Sequence, residues 1–282
     1  MTESVSSRAA VDVSDQEIHW DQDMSYGQYL DLEKLLKCQR PQSTEHDEML
    51  FIVIHQASEL WMKLCLHEIT AAMGRIDADD LGPALKMLVR VAKVQAQLLQ
   101  SWEVLTTMTP ADYASFRDAL GQSSGFQSYQ YRQIEYALGN KNAAMAEVHR
   151  AHPQHYQHLQ EILSAPSLYD RCLKLLSRRG FPIPTSHLER DWSQPYEPNA
   201  AVEDAWRAVY QNTAQHWELY SLAEKMVDLE YQFHHWRFSH MKTVERIIGY
   251  KRGTGGTAGV SYLVKALDLR FFPELWTVRT RL

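Results

Sequence analysis

The residue of this sequence with the clearest capacity for chemistry is His240, which lies in the aromatic segment 236–244 shortly before the glycine-rich segment 253–256. Imidazole is the commonest metal ligand in proteins, and a glycine-rich segment can form a movable loop over a bound molecule. A histidine beside an apolar helix face is, however, more often a hydrogen-bonded core residue than a ligand. Taken alone, His240 leaves both interpretations open.

Two residue pairs at four-residue spacing could belong to the same site. Phe51 and His55 lie on one face of a predicted helix, so a phenyl ring and an imidazole face the same space. Tyr113 and Arg117 repeat this spacing, and a guanidinium beside a phenol is well suited to binding a carboxylate. Each pair also has a structural interpretation, as packed core residues or as part of a surface helix face.

The neighbouring histidines do not complete a metal site with His240. His234 and His235 precede it by six and five residues. On a helix of about 3.6 residues per turn, these separations point the side chains well apart. A single histidine from a helix, in aromatic surroundings, is the ligand set that a haem iron requires.

The segment 253–258 happens to fit the dinucleotide-binding pattern G-x-G-x-x-A. That pattern requires a preceding apolar strand, whereas the charged segment 245–252 is typical of a helix end. We therefore predict a mobile loop that closes over a ligand through the Thr254 hydroxyl and backbone N–H groups.

The elements that must position these residues are helices. From Ser25 onward the apolar residues recur at helical spacing, and no segment shows the sustained alternation of a strand. The predicted helices are a short one near 30–36 and further ones at 47–75, 81–105, 110–120, 129–138, 153–163 and 166–178. The prolines of 181–198 predict an irregular connection, and 200–248 lacks Gly and Pro, which permits one very long helix or two in succession. The predicted fold class is all-α.

Composition narrows the classes of function. A net charge of -6 without a long Lys/Arg cluster argues against nucleic acid or an anionic membrane as the partner. The longest purely apolar run, 49–54, is too short to span a bilayer, and 1–23 lacks the apolar core of a secretion signal. The separated Cys38, Cys65 and Cys172 predict neither a disulfide framework nor a zinc site. We expect reduced thiols and a cytoplasmic protein.

Several longer motifs are similar to those of one known family. They are SYGQYL at 25–30, EMLFIVIHQ at 48–56, ELW at 59–61, SSGFQS at 123–128, YR at 131–132, WRF at 236–238, HM at 240–241, KRGTGG at 251–256 and FPEL at 272–275. Through these motifs the chain closely resembles the tryptophan 2,3-dioxygenase family, the haem enzymes of the kynurenine pathway, in a bacterial-length form. Gln28 and Ser239 depart from the residues that are usual in the family, a Gly and an Arg.

The resemblance implies a single large helical domain at 25–282 around one haem b per subunit, in a homotetramer built as a dimer of dimers. His240 would be the axial ligand of the iron, and Trp102, Ser124 and Gly125 would contact the haem. On the distal side, Phe51 and His55 would contact the indole of L-tryptophan, with His55 as the catalytic residue.

The same resemblance implies that Tyr113 and Arg117 bind the carboxylate of the substrate and that Thr254 lies near its ammonium. Tyr26, Tyr29 and Leu30 match a segment, 25–38, that family members insert into the active site of a neighbouring subunit. Residues 1–24 would form a flexible tail.

The reaction that the resemblance implies is insertion of O2 across the pyrrole double bond of L-tryptophan to give N-formyl-L-kynurenine. We expect His55 mainly to orient the indole, because an imidazole with a pKa of roughly 6.5 is a poor match for so weakly acidic an N–H. Two alternatives are a non-catalytic haem sensor and a haem enzyme acting on a modified indole. A sensor needs no clamp for an amino acid, so Tyr113, Arg117 and Thr254 count against it.

Overall fold

A computed structural model describes residues 14–16 and 24–282, so most of the predicted tail 1–24 lies outside the described residues. The regular structure of the described residues is entirely helical, which confirms the predicted all-α class. The α-helices are α1 (Tyr26–Tyr29), α2 (Leu32–Leu35), α3 (His46–Asp77), α4 (Leu81–Leu105), α5 (Pro110–Phe116), α6 (Tyr129–Leu138), α7 (Pro153–Leu163), α8 (Leu168–Arg178), α9 (Thr185–Leu188), α10 (Ala200–Gln211), α11 (Trp217–Ile248), α12 (Val260–Ala266) and α13 (Pro273–Thr277).

The chain divides after Arg40 into two compact units. The described part of the first unit contains α1 and α2. Ser25 caps α1, because its hydroxyl accepts a hydrogen bond from the Gln28 N–H while the Gln28 side chain accepts one from the Ser25 N–H at 2.8 Å. Gln28, which departs from the usual family residue, thus completes a capping box that Gly cannot form. The predicted domain limits stay a prediction.

In the second unit, Pro41–Leu282, α4 packs against both α3 and α11. The apolar faces of these helices supply fully buried side chains such as Ile69, Leu88 and Leu222. Burying each side chain of this kind stabilises the fold by roughly 1.5–3 kcal/mol. The three long helices therefore form the frame on which the candidate site is built.

Among the described residues, α3 has the length and apolar composition that a membrane span requires. Helices in protein cores share that composition, and α3 packs against α4, α6 and α8. Two of its carboxylates have partners within the protein. Glu59 accepts hydrogen bonds from Ser128 and Gln130, and Glu68 accepts one from Arg90. These contacts join α3 to α4 and to the chain around the start of α6.

Helix ends differ from the predicted ones where local capping decides them. The segment 200–248 forms two helices in succession, α10 and α11, separated at 212–216, which is one of the two arrangements predicted for it. Helix α8 begins after Ser167, whose hydroxyl accepts from the Asp170 N–H, rather than at Pro166. The proline-rich connection contains the single turn α9, and α5 passes at Arg117 into a 3₁₀ turn that ends before Gly121.

Candidate active site

Helix α11 carries His240 and is fixed one turn earlier by a buried ion pair. Arg237 donates to Glu135 of α6 at 2.9 Å, and Glu135 also pairs with Arg132. All three side chains are buried. Breaking a buried pair leaves an uncompensated charge, at a cost of about 3–5 kcal/mol. The ion pair therefore fixes how α11 is rotated and shifted along its axis relative to α6. This in turn fixes the position of His240.

The imidazole of His240 contacts two tryptophans, whose rings also contact each other at 5.6 Å. Trp102 of α4 stacks on it with a centroid separation of 4.8 Å and an interplanar angle of 14°. Trp236, one turn earlier on α11, lies 5.4 Å away at 32°. The indole Nε1 of Trp102 is buried and has no hydrogen-bond partner. A buried N–H normally has an acceptor, so this donor indicates space for a group that carries one.

The electrostatic setting keeps His240 neutral. Burial, together with the smaller effect of the nearby His55, lowers its pKa to about 4. A neutral imidazole has a nitrogen lone pair available to a metal, whereas an imidazolium has none. The site thus presents a metal-competent histidine against a flat aromatic wall.

Phe51 and His55 of α3 contact each other as the four-residue spacing predicts. Their ring centroids are 4.1 Å apart, and Phe51 also approaches Tyr113 at 6.0 Å and Phe116 at 5.7 Å. Phe51, Tyr113 and Trp102 all pack against one small buried cluster that includes Phe116. The structure therefore brings together residues from α3, α4 and α5 that are distant in sequence.

The hydrogen bond of His55 defines the role of each of its nitrogens. Nδ1 lies 2.7 Å from the Phe51 carbonyl oxygen, which can only accept. In the neutral ring Nδ1 therefore carries the proton and Nε2 carries the lone pair. Burial lowers the pKa of His55, although the Phe51 carbonyl and the charge of Glu59 oppose the shift. His55 is thus a hydrogen-bond acceptor through Nε2.

Tyr113 and Arg117 are placed by the start of α5. Thr109 and Asp112 form a reciprocal capping box around Pro110, which fixes the first turn of this short helix. Burial raises the pKa of Tyr113, and its hydrogen bond to Arg117 opposes the rise. The Nε of Arg117 is buried without a partner. The pair retains donors for an anion.

The glycine-rich segment forms the loop 251–259 between α11 and α12. This loop approaches Tyr113 and Arg117, which we call the carboxylate clamp. Arg117 donates through Nη2 to the carbonyl oxygen of Arg252 at 2.8 Å. The Thr254 hydroxyl donates to the carbonyl oxygen of Ser123. The segment follows a helix instead of a strand, so the dinucleotide interpretation is excluded by the fold.

The remaining predicted site residues fall in two places. Ser124 and Gly125 lie at the start of a 3₁₀ turn in which the Ser124 hydroxyl accepts from the Phe126 N–H, and Ser124 lies directly beside Gly255. Tyr26, Tyr29 and Leu30 belong to the first unit, where their side chains are exposed. Their predicted contact with a neighbouring subunit stays a prediction.

Sequence reasoning singled out neither Trp236 nor Phe116 nor Ser123 as a site residue. The spacing of four between Trp236 and His240 was the available signal for the first of these. Phe116 lies next to Arg117 but turns into the core, and Ser123 contributes only a backbone carbonyl. A backbone contribution leaves no trace in residue type.

Comparison with known proteins decides the family. The sequence model of the family described as Tryptophan 2,3-dioxygenase matches residues 12–164 and 160–282. The chain belongs to the tryptophan 2,3-dioxygenase family. The resemblance predicted from the sequence motifs is thereby confirmed.

Individual relatives in the tryptophan 2,3-dioxygenase family match over nearly their whole length. The tryptophan 2,3-dioxygenase of Polaromonas sp. is 57% identical over 266 residues, which are 94% of this chain and 90% of that protein. The protein of that name from Bacillus thuringiensis is 57% identical over 94% of this chain and 96% of its own length. The one from Cupriavidus necator is 58% identical over 92% of this chain and 88% of its own.

Proposed function

We propose that this protein is a haem-dependent tryptophan 2,3-dioxygenase, which inserts O2 into L-tryptophan to give N-formyl-L-kynurenine. The observation that carries the proposal is the neutral His240 stacked on Trp102, whose buried N–H has no acceptor. Family membership and the names of the relatives support the same activity.

The residues around His240 fit a haem. A flat apolar macrocycle matches the aromatic wall of Trp102 and Trp236, and the carboxylates of haem supply the acceptor that Trp102 Nε1 lacks. No group of three or more His, Cys, Asp or Glu in the described residues could hold a metal ion directly. His240 would then be the single protein ligand of the iron, one haem b per subunit, with Ser124 and Gly125 beside it.

The side chains that α3, α5 and the loop 251–259 contribute to the site fit the amino acid substrate. The guanidinium of Arg117 and the hydroxyl of Tyr113 would bind the carboxylate, and Thr254 would accept from the ammonium. Phe51 packs against the indole, and His55 Nε2 accepts its N–H, because Nδ1 is already held by the Phe51 carbonyl. These contacts orient the pyrrole double bond and exclude water from it.

In the proposed reaction the bond between C2 and C3 of the indole breaks, and each carbon receives one oxygen atom of O2. The chemistry that haem supplies when bound is the activation of dioxygen. His240 contributes a neutral imidazole, and His55 fixes the indole N–H. No external electron donor enters the balance of L-tryptophan plus O2 giving the formylated product.

We further infer a cytoplasmic homotetramer, a dimer of dimers. Tyr26 and Tyr29 are 76% and 73% exposed, which is unusual for large aromatic side chains and favours their insertion into a neighbouring subunit. The thiols of Cys65 and Cys172 are buried and form no disulfide, which favours a reducing compartment.

The test is turnover of L-tryptophan by the reduced, haem-loaded protein. We expect a Soret band and the absorbance of N-formylkynurenine on adding L-tryptophan and O2. A Soret band without product would favour the sensor, and turnover of substituted indoles alone would favour the second alternative. Failure to take up haem would exclude the proposal.

A further inference from the structure

The loop 251–259 is folded on itself. Gly259 adopts a φ of 59°, and a Cβ there would lie 2.6 Å from the carbonyl oxygen of Lys251. The Gly253 N–H donates to the Thr257 carbonyl at 3.2 Å. The two ends of the loop are therefore held together, and the loop is a compact unit.

The loop contacts the rest of the second unit at Gly255. A Cβ on Gly255 would lie 2.7 Å from the Ser124 Cβ and 3.0 Å from its Oγ, closer than carbon atoms approach in proteins. The absence of a side chain at residue 255 is thus what allows the loop to rest on Ser124. Any larger residue must push the loop away.

At one end of this contact the loop holds the carboxylate clamp. The Arg252 carbonyl accepts from Arg117 Nη2 at 2.8 Å, and Tyr113 is also hydrogen-bonded to the Arg117 side chain. With the plane of the guanidinium fixed, its buried and unpartnered Nε points to a defined place. A pre-oriented fork loses less freedom when it binds a carboxylate.

At the other end the contact sets the polarity of Thr254. A hydroxyl has a single hydrogen, and that of Thr254 is donated to the Ser123 carbonyl. The Thr254 oxygen is left only as an acceptor. An ammonium has only donors, so this polarity selects a cationic amino group.

We propose that Gly255 is a positioning residue, whose packing on Ser124 sets both anchors for the amino-acid group of the substrate at once. The inference rests on the proposed function. A displaced loop releases the Arg252 carbonyl from Arg117 and the Thr254 hydroxyl from Ser123 together. The two anchors are Arg117 for the carboxylate and Thr254 for the ammonium. The loss of affinity caused by a displaced loop should therefore increase with the number of these anchors that a ligand uses.

The experiment compares Gly255→Ala with the double variant Gly255→Ala/Ser124→Gly, which removes both atoms that the new Cβ would meet. Gly255→Ala/Ser124→Ala is the matched control, because it keeps the Ser124 Cβ position filled. Docking is read without ligand from tryptic cleavage after Lys251 and Arg252, both exposed in the loop. Affinities of the haem-loaded, anaerobic protein are measured for L-tryptophan, indole-3-propionate and indole, which use two, one and no anchors.

We expect Gly255→Ala to speed cleavage of the loop. It should also weaken binding of L-tryptophan by roughly tenfold or more, because charge-assisted hydrogen bonds are lost. Binding of indole-3-propionate should weaken less, and binding of indole should not change. Because Ser124 also caps its 3₁₀ turn and is a proposed haem contact, each double variant is compared with the corresponding Ser124 single variant. Adding Gly255→Ala should change neither cleavage nor affinity in Ser124→Gly, and it should change both in Ser124→Ala. As a second variant, Thr254→Val should weaken L-tryptophan and leave indole-3-propionate unchanged.

Equal losses for all three ligands, or an effect of Gly255→Ala as large in the Ser124→Gly background as in the wild-type protein, would overturn the role of Gly255. So would unchanged L-tryptophan affinity in Gly255→Ala. These outcomes differ from failure of the proposed function, in which the wild-type protein itself does not oxidise L-tryptophan.

Discussion

At the scale of single residues, the backbone decides what His55 can do. The Phe51 carbonyl takes the Nδ1 proton, so only Nε2 faces a ligand, and it does so as an acceptor. An acceptor orients an indole N–H without needing to remove its proton. This geometry is consistent with orientation as the main role of His55 and leaves proton transfer secondary.

Protonation of His55 should weaken binding of L-tryptophan. Burial lowers its pKa below the ordinary value, so the ring is neutral at neutral pH and gains a second proton only in acid. Affinity is expected to be constant from about pH 8 to about pH 6.5 and to fall below that. Binding titrations across this range check the expectation.

His55→Ala should bind L-tryptophan more weakly and without the acidic limb, whereas His187→Ala, in the proline-rich connection, should retain it. A His55→Ala variant with full affinity but no turnover would instead assign His55 to proton transfer.

Removal of the guanidinium of Arg117 should raise the KM for L-tryptophan by about 10–100-fold, because the substrate carboxylate loses its charged partner. Arg117→Lys should lie between wild type and Arg117→Ala, since Lys keeps the charge but lacks the planar fork. Steady-state kinetics measure both. Tryptamine, which has no carboxylate, serves as the control ligand and should bind all three proteins alike; an unchanged KM in Arg117→Ala would remove this residue from the carboxylate site.

At the scale of elements, the sequence predicted most helices because their ends are marked locally. The start of α5 combines Thr109, Pro110 and Asp112, and each of these acts within one turn. The break between α10 and α11 has no Gly or Pro; it occurs at Asn212, whose side chain donates to the Ala208 carbonyl. Such competition between a side chain and the helix is not evident from periodicity.

The site was predictable in pairs and not as a whole. Spacing of four gives Phe51 with His55 and Tyr113 with Arg117, but their convergence on Trp102 depends on how α3, α4 and α5 pack. That packing is tertiary, and only the family resemblance supplied it in advance. The contacts of the loop 251–259 use the carbonyls of Ser123 and Arg252, which no residue type encodes.

A buried lysine ties the end of α7 to the chain after α6, and it should make stability depend on pH. Lys141 is 2% exposed, and its Nζ donates to the carbonyls of Ile162 and Ala165, each at 2.8 Å. Burial lowers its pKa to about 8, from 10.5 in an unfolded chain. Between these values the unfolded state binds more protons, so raising the pH favours folding, by roughly 3 kcal/mol at most.

Urea denaturation at about pH 7.5 and pH 10 measures this contribution as a difference between variants. In Lys141→Met, the rise in the free energy of unfolding between these two pH values should be smaller than in the wild-type protein. Lys93→Met, at an exposed position on α4, should keep the full rise. Parallel behaviour of the two variants would mean that Lys141 does not carry the pH dependence.

At the scale of the whole molecule, the proposed assembly makes the active site a shared structure. The first unit carries the exposed Tyr26, Tyr29 and Leu30, and the second carries His55, Arg117 and His240. If segment 25–38 completes the site of a neighbouring subunit, a truncated chain has an intact catalytic unit but nothing to insert. A chain with a defective catalytic unit can still lend its segment.

Mixing two impaired chains should therefore restore activity, assayed at an L-tryptophan concentration well below the raised KM of the Arg117→Ala variant. One lacks residues 1–38, and the other carries Arg117→Ala with its first unit intact. Separate tetramers of each are expected to turn over L-tryptophan poorly, whereas tetramers formed by co-expression should recover a clear fraction of wild-type turnover, because intact catalytic units then meet intact segments. Light scattering establishes that the chains assemble as tetramers. The control is a chain that carries both the truncation and Arg117→Ala, co-expressed with either single-defect chain. Recovery in the first mixture but not in these controls would show that subunits share their sites. Co-expression without recovery, in tetramers shown to be mixed, would mean that each subunit completes its own site.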